Sequence, residues 1–412
     1  MGLFPRRQLT LLLLLALALR AGWGLVQPTD DAAIDRLPDQ REYLSLGRNL
    51  LHEHALAFVD PRFDETVYAY RTPGYPAFIA LCGGSVRAIR SVQAILDTCT
   101  VLAVFLLARQ LSGNAGIALL AGAVVALNPF LIYFSGLILS ETLFTAALAW
   151  GMVLLIRRMT VAAGMVILLA VLVRPSALAL APILAITSIY ANSSAGSAYR
   201  LLAGIRICLI VLTIIVLGLF PWAYRNHRVV GSWVWTTTNA GVTLYDGFHP
   251  AASGASNQRF LAGLSQLRSM NEVERSRFLS REANEWAREH PAELPRLTVA
   301  KIARTWSPLP LSAEFGRPLY RAISGSYAIP FDVLAICGLF SRRLMRGAKV
   351  LLLTPAIYFT IVHALSVGSL RYRVPVEPEL AVLVAIGAAA IFGGGAQRRG
   401  FLPEQTDEHP RV

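Results

Sequence analysis

Apolar runs separated by short polar connections dominate the pattern of this chain. Ten of them approach the roughly twenty apolar residues that cross a bilayer core. They lie at 9–26, 91–110, 114–133, 139–156, 160–173, 176–191, 205–223, 328–341, 348–366 and 374–394. Those at 160–173 and 328–341 are short and need tilt or extension by neighbouring residues. Each is predicted helical, because lipid offers an open backbone no partner. The run at 9–26 follows Arg6 and Arg7 without a clean A-x-A pattern before the next acidic loop, and reads as a retained span rather than a cleaved leader.

Two connections break the rhythm. One covers 27–90; the other, 224–327, is long enough to form a small domain. In the second, Asn271 and Glu274 make an N-x-x-E capping pattern. Leu279, Ala283, Trp286, Ala287 and His290 then follow helical spacing until Pro291. A further stretch, 293–306, sets Leu294, Leu297, Ile302 and Trp306 against Arg296, Lys301 and Arg304. That pattern fits either a helix lying among lipid head groups or one packed on the loop domain.

Composition agrees with membrane insertion. Of 412 residues, 55% are hydrophobic and only 15% charged, where a soluble domain has about a quarter charged. The net charge of +13 does not point to nucleic acid, because the cations fall in short clusters between apolar runs. Arg6-Arg7, Arg109, Arg157-Arg158, Arg200 with Arg206, the group from Arg342 to Lys349, and Arg398-Arg399 occupy alternate connections. The positive-inside tendency then places both termini in the cytoplasm and both long connections outside. The expected organisation is a membrane module at 1–223 containing the 27–90 loop, a loop domain at 224–327, closing helices at 328–396 and a cytoplasmic tail at 397–412. The two halves show no self-similarity of the kind inverted-repeat transporters carry. The four cysteines lack metal or disulfide spacing and read as small buried hydrophobes.

Candidate chemistry concentrates beside the spans. PDQREYLSLGRNLL at 38–51 is an amphipathic segment in which Asp39 and Glu42 form a D-x-x-E pattern. Asp39 reads as an N-cap, or as a carboxylate placed to take a proton from a nucleophile. RTPGYPAF at 71–78 predicts a type II turn centred on Pro73-Gly74, with Pro76 opening the next helix. Such a turn either starts a helix or presents Arg71 to a phosphate, with Tyr70 and Tyr75 beside it. Ser140 and Glu141 open the fourth span, as a cap with an acid in the first turn or as a carboxylate facing a polar cavity. Arg174 and the run Arg371-Tyr372-Arg373 place cations at outer span ends, where they snorkel to head groups or serve a site. Asp97, inside the second span, calls for a partner in Arg90 or on another span. His363 reads as packed rather than ligating. Asp30-Asp31 is a weak cation candidate, and no phosphate-binding glycine motif is present.

In this order, PDQREYLSLGRNLL, RTPGYPAF, LSETLF at 139–144, HPAELPRLTVAKIARTWSP at 290–308 and RYRVPVEPEL at 371–380 cover the chain from end to end. The chain resembles the polytopic glycosyltransferases of the GT-C type, in the broad group of protein O-mannosyltransferases and the aminoarabinose transferases that modify lipid A. The resemblance implies an all-α membrane protein of GT-C fold in the plasma (inner) membrane, with its active site on the extracytoplasmic side. It implies inverting transfer of a sugar from a polyprenyl-phosphate donor to a protein or glycolipid acceptor. On that model Asp39 and Glu141 are catalytic, with Asp39 the general base. Arg71, Arg371 and Arg373 hold phosphate, and Glu42, Tyr43, Tyr70, Tyr75, Arg174 and Tyr372 complete the substrate contacts. The family often carries adjacent acids at the catalytic position, whereas Gln40 follows Asp39 here. That leaves open whether Glu42 supplies a second acid and whether a divalent cation takes part. A flippase of a lipid-linked saccharide is the alternative, since it needs the same cavity and arginines but no base. A non-catalytic assembly factor would need neither.

Overall fold

The computed structural model describes residues 3–192, 197–311 and 317–392. The predicted tail at 397–412, with Arg398 and Arg399, lies outside them, as does the end of the last apolar run. Helices account for nearly all regular structure among the described residues. They are α1 (Leu3–Val26), α2 (Asp31–Asp35), α3 (Pro38–His52), α4 (Gly74–Leu81), α5 (Val86–Ser112), α6 (Ala115–Ala126), α7 (Pro129–Ser135), α8 (Glu141–Ile156) and α9 (Thr160–Val173). There follow α10 (Leu180–Asn192), α11 (Ser197–Val230), α12 (Ala240–Gly247), α13 (Phe260–Gly263), α14 (Glu272–Glu289), α15 (Glu293–Thr305), α16 (Pro318–Phe340), α17 (Arg346–Ala364) and α18 (Glu377–Phe392). A small antiparallel hairpin, β1 (Phe58–Asp60) with β2 (Glu65–Val67), pairs Phe58 with Val67 in the first long loop.

By length and apolar content α1, α5, α11, α16, α17 and the helix ending in α18 can each cross a membrane. The chain is a multi-pass, all-α membrane protein. The run at 114–133 is not one straight helix: α6 and α7 meet at a 52° bend. Asn128 caps α7 through its side chain, and Pro129 follows at its first position. The runs at 139–156, 160–173 and 176–191 give helices of 16, 14 and 13 residues. α8 is buried around almost its whole circumference, so protein and not lipid surrounds it. By contrast α1, α11 and α16 expose apolar side chains such as Leu14, Leu217 and Val333. α16 and α18 pack so closely that a Cβ on Gly338 would lie 2.0 Å from the Leu383 carbonyl oxygen, and one on Gly387 2.0 Å from that of Leu334. Small residues permit such backbone approach between membrane helices.

Two boundaries differ from the sequence pattern. α11 extends past 205–223 at both ends, and α16 starts at Pro318 rather than 328. Pro318 suits a helix start. The polar residues Arg321, Ser324 and Ser326 lower the hydropathy of the first turns without breaking the helix.

The acid at Asp97 does not pair with Arg90. Its partner is Arg20 of α1, at 2.5 Å, with both side chains buried. Arg20 also donates to the carbonyls of Ala126 (2.8 Å) and Val125 (3.0 Å), closing the end of α6. Arg90 turns away and donates to the carbonyls of Gly136, Gln27 and Pro28. Opposite charges in a low-dielectric interior must meet, and the neighbouring helix satisfies that need here. α1 is thereby an integral part of the bundle.

The capping pattern in the second loop forms as the sequence indicates. Asn271 accepts from the Val273 and Glu274 amides, and Glu274 accepts from the Asn271 amide in return. α14 ends before Pro291. α15 is packed on protein rather than laid among head groups: Leu297 is buried beside Phe248 and Ala283, and the Lys301 ammonium sits 3.6 Å from the centre of the Phe248 ring.

Candidate active site

α3 is amphipathic, with Gln40, Tyr43, Leu44 and Gly47 on its buried face. Pro38 occupies the first helical position and Leu37 the cap, so Asp39 is not the N-cap that its D-x-x-E pattern suggests. One residue into the helix, its carboxylate is left to reach sideways. Gln40 fixes the approach of α3 by accepting from the Ile138 amide at 2.8 Å.

The segment before α4 is likewise not the expected turn. Pro73 lies in the right-handed helical region and caps α4, Gly74 is its first residue, and Pro76 lies inside it. Gly74 is not among the glycines with positive φ; it is required by contact instead. A Cβ there would lie 2.7 Å from the carbonyl carbon and oxygen of Leu172. The backbone on either side of Arg71 is pinned throughout. Glu272 accepts from the amides of Tyr68 and Ala69, Thr237 donates to the Tyr70 carbonyl, and Thr72 donates to that of Val173. Gly74→Ala is therefore expected to cost about 1–3 kcal/mol through overpacking and to loosen Arg71. Thermal unfolding in detergent checks this, with Gly22→Ala, whose Cβ meets nothing within 4 Å, as the near-neutral control.

These constraints bring charges from six stretches of the chain into one alternating row. Arg62 approaches Glu42 at 3.7 Å. Glu42 accepts from Arg71 at 2.5 Å, and Arg71 also donates to Asp39 at 2.7 Å. Asp39 accepts from Arg371 at 2.6 Å, and Arg371 donates to Glu141. Glu141 accepts from Arg174 at 2.6 Å. Tyr43 and Tyr70 carry the Arg71 guanidinium over their rings at 5.1 and 5.3 Å. Ser140 does not cap α8 with its side chain; its hydroxyl accepts from Arg174. Glu141 is almost wholly buried, and its second carboxylate oxygen has no hydrogen-bond partner among the described residues.

The electrostatics follow from this crowding. Burial opposes the charge on Asp39, but Arg71 and then Arg371 outweigh it and hold the carboxyl well below the usual range. Burial likewise opposes the charge on Arg71, while Glu42 and Asp39 hold it firmly protonated. Burial draws Arg174 below its ordinary value and pushes the Tyr70 hydroxyl up to about 12.

The expected site residues do not all join. Asp39, Glu42, Tyr43, Tyr70, Arg71, Glu141, Arg174 and Arg371 come together. Tyr75 is wholly buried, its hydroxyl donating to Gln93 and its ring edge-on to Tyr43, so it supports Tyr43 from behind. Tyr372 stacks on His363, with ring centroids 3.7 Å apart. Arg373 leaves the row for Asp332 and Glu377. Two successive short 3-10 turns, Leu370–Tyr372 and Val374–Val376, carry Arg371 and Arg373 into different surroundings. Asp30 caps α2 and Asp31 lies near Arg41, so that pair is not a cation site. Among the described residues no three histidine, cysteine, aspartate or glutamate side chains are placed so that they could hold one metal ion. Each of the carboxylates of Asp39, Glu42 and Glu141 is paired with at least one guanidinium group of the row.

Several participants escaped the sequence reading. Arg62, held bidentately by Asp60 at 2.6 and 2.8 Å, extends the row into the hairpin. Glu272, singled out by no motif, ties the loop domain to the Arg71 segment. The loop domain also presses on the segment leading to Arg371: the Gly368 amide donates to the Gly254 carbonyl, and a Cβ on Gly247 would lie 2.1 Å from that of Ser366. Behind this contact Asp246 accepts from Ser256 and Asn257, and burial pulls Lys301 down to about 8.

Comparison with protein-family models gives no match, and no curated protein matches the chain.

Proposed function

We propose that this protein is an inverting glycosyltransferase of GT-C type that moves a sugar from a polyprenyl-phosphate donor to an extracytoplasmic protein or glycolipid acceptor. One observation carries the reading: Asp39 is gripped by two arginines, Arg71 and Arg371, at the end of the bundle where helices meet both long loops. The pairing suits a reaction in which an anion departs and a proton must be taken up. The acceptor hydroxyl oxygen attacks the anomeric carbon. The bond from that carbon to the phosphate oxygen breaks, and the electron pair leaves with polyprenyl phosphate. Asp39 takes the hydroxyl proton. Fixed guanidinium groups stabilise the leaving phosphate without solvent reorganisation.

As it stands Asp39 is too well stabilised to be an effective base, because a base works best with a pKa near the operating pH. The donor phosphate resolves this. It competes with Asp39 for Arg71 and Arg371, and hydrogen bonds that pass to phosphate return proton affinity to the carboxylate. Glu141 keeps Arg371 and Arg174 in place. A flippase reading gives no role to a carboxylate held so exclusively by the phosphate-binding cations.

Ten apolar helices with both termini in the cytoplasm remain the proposed topology. The shorter helices α8, α9 and α10 would cross as part of the packed bundle. Mass spectrometry of glycans and glycolipids from a deletion strain tests the reading. One sugar modification is expected to disappear and to return with the wild-type gene but not with Asp39→Asn. An unchanged profile would refute it.

A further inference from the structure

A cleft of about 430 Å³ opens where α1, α7 and α16 come together beneath the α2–α3 connection. It shares no residue with the row of ion pairs. Arg36, Arg90 and Arg317 line it, together with Trp23, Tyr133 and Tyr320, and among the described residues no acidic side chain does. The rings form a continuous wall, with Trp23 5.8 Å from Tyr133 and Tyr133 6.4 Å from Tyr320. Arg90 is fixed in direction by three backbone carbonyls at 2.7–3.0 Å, none of which carries a full negative charge. Arg36 and Arg317 are exposed at the end of α2 and the start of α16.

The surroundings are apolar. Leu25 and Val26 at the end of α1 are 79% and 71% exposed, and Leu319 in the first turn of α16 is 67% exposed. Both helices are long and apolar enough to span a membrane, so the cleft sits where spanning helices leave the hydrocarbon. Tryptophan and tyrosine rings concentrate at that depth. A soluble anion would use the three guanidinium groups but leave the apolar flanks idle; an amphiphile uses both.

We propose that this cleft binds the phosphodiester head group of an anionic membrane lipid, with its acyl chains lying along α1 and α16. The site is independent of the transferase reading, and Trp23 reports on it directly. The test places the full-length protein in neutral vesicles doped with phosphatidylglycerol or phosphatidylcholine brominated near the head group. The Trp23 component of quenching is taken as the difference between wild type and Trp23→Phe. The anionic lipid is expected to quench it at roughly tenfold lower mole fraction than the neutral one. Replacing both exposed arginines, Arg36→Gln with Arg317→Gln, is expected to shift the anionic curve onto the neutral one while Trp23 stays in place. Equal quenching by the two lipids, or an unchanged curve in the double variant, would overturn the proposal. So would displacement of the lipid by millimolar inorganic phosphate, which would mark the cleft as a site for the free anion.

Discussion

Asp39→Asn is expected to lower sugar transfer by about 10²–10⁴-fold, the range ordinarily lost with a general base, while the protein inserts and accumulates normally. The second half of that expectation rests on geometry. Asp39 is about a third exposed, so its loss leaves no cavity. Arg71 keeps Glu42, and Arg371 keeps Glu141. Donor affinity should hold or improve, because two guanidinium groups lose a competitor for the phosphate. Initial rates with a labelled polyprenyl-phosphate sugar, set beside donor binding, separate the two effects. Reduced binding with an unchanged rate for bound donor would assign Asp39 to holding the arginines and not to proton transfer.

The largest effect on stability belongs to a different pair. Asp97→Leu is expected to destabilise the protein by about 3–5 kcal/mol, because it leaves the Arg20 charge buried without a counter-ion. Arg20→Met should cost a similar amount, since it strands Asp97 and removes donors from the carbonyls that end α6. Combining the two substitutions should recover most of the loss, as buried ion pairs often give way to apolar pairs at little net cost. Unfolding midpoints of the three variants in detergent decide this. Additive losses in the double variant would show that Arg20 and Asp97 act independently.

The helical membrane architecture was legible because a run of some twenty apolar residues has few other uses; described helices fall within each of the ten predicted runs, and six are long and apolar enough to cross a membrane, or seven with α6 and α7 taken as one. The lengths of α8, α9 and α10 were not legible in the same way, since periodicity does not separate a helix buried in protein from one facing lipid. Local rules failed at the site where tertiary contact competed with them. Pro38 took the helix start that the D-x-x-E pattern assigned to Asp39. Close approach of the Leu172 backbone, rather than a positive φ, demanded Gly74. The residues that form the row, Arg62 apart, were identified by type and position. Their partners were not, because Asp39 meets Arg71 across 32 positions and Arg371 across 332. Arg20 was hidden inside an apolar run, and only the neighbouring helix reveals it as half of an ion pair.

The central proposal is that the Asp39 row cleaves a polyprenyl-phosphate sugar. Purified protein in liposomes loaded with that lipid, followed by mass spectrometry of the lipid products, tests it most directly. Free polyprenyl phosphate is expected to accumulate in step with a glycosylated acceptor. Donor that crosses the bilayer with its sugar still attached, and no free polyprenyl phosphate, would contradict it.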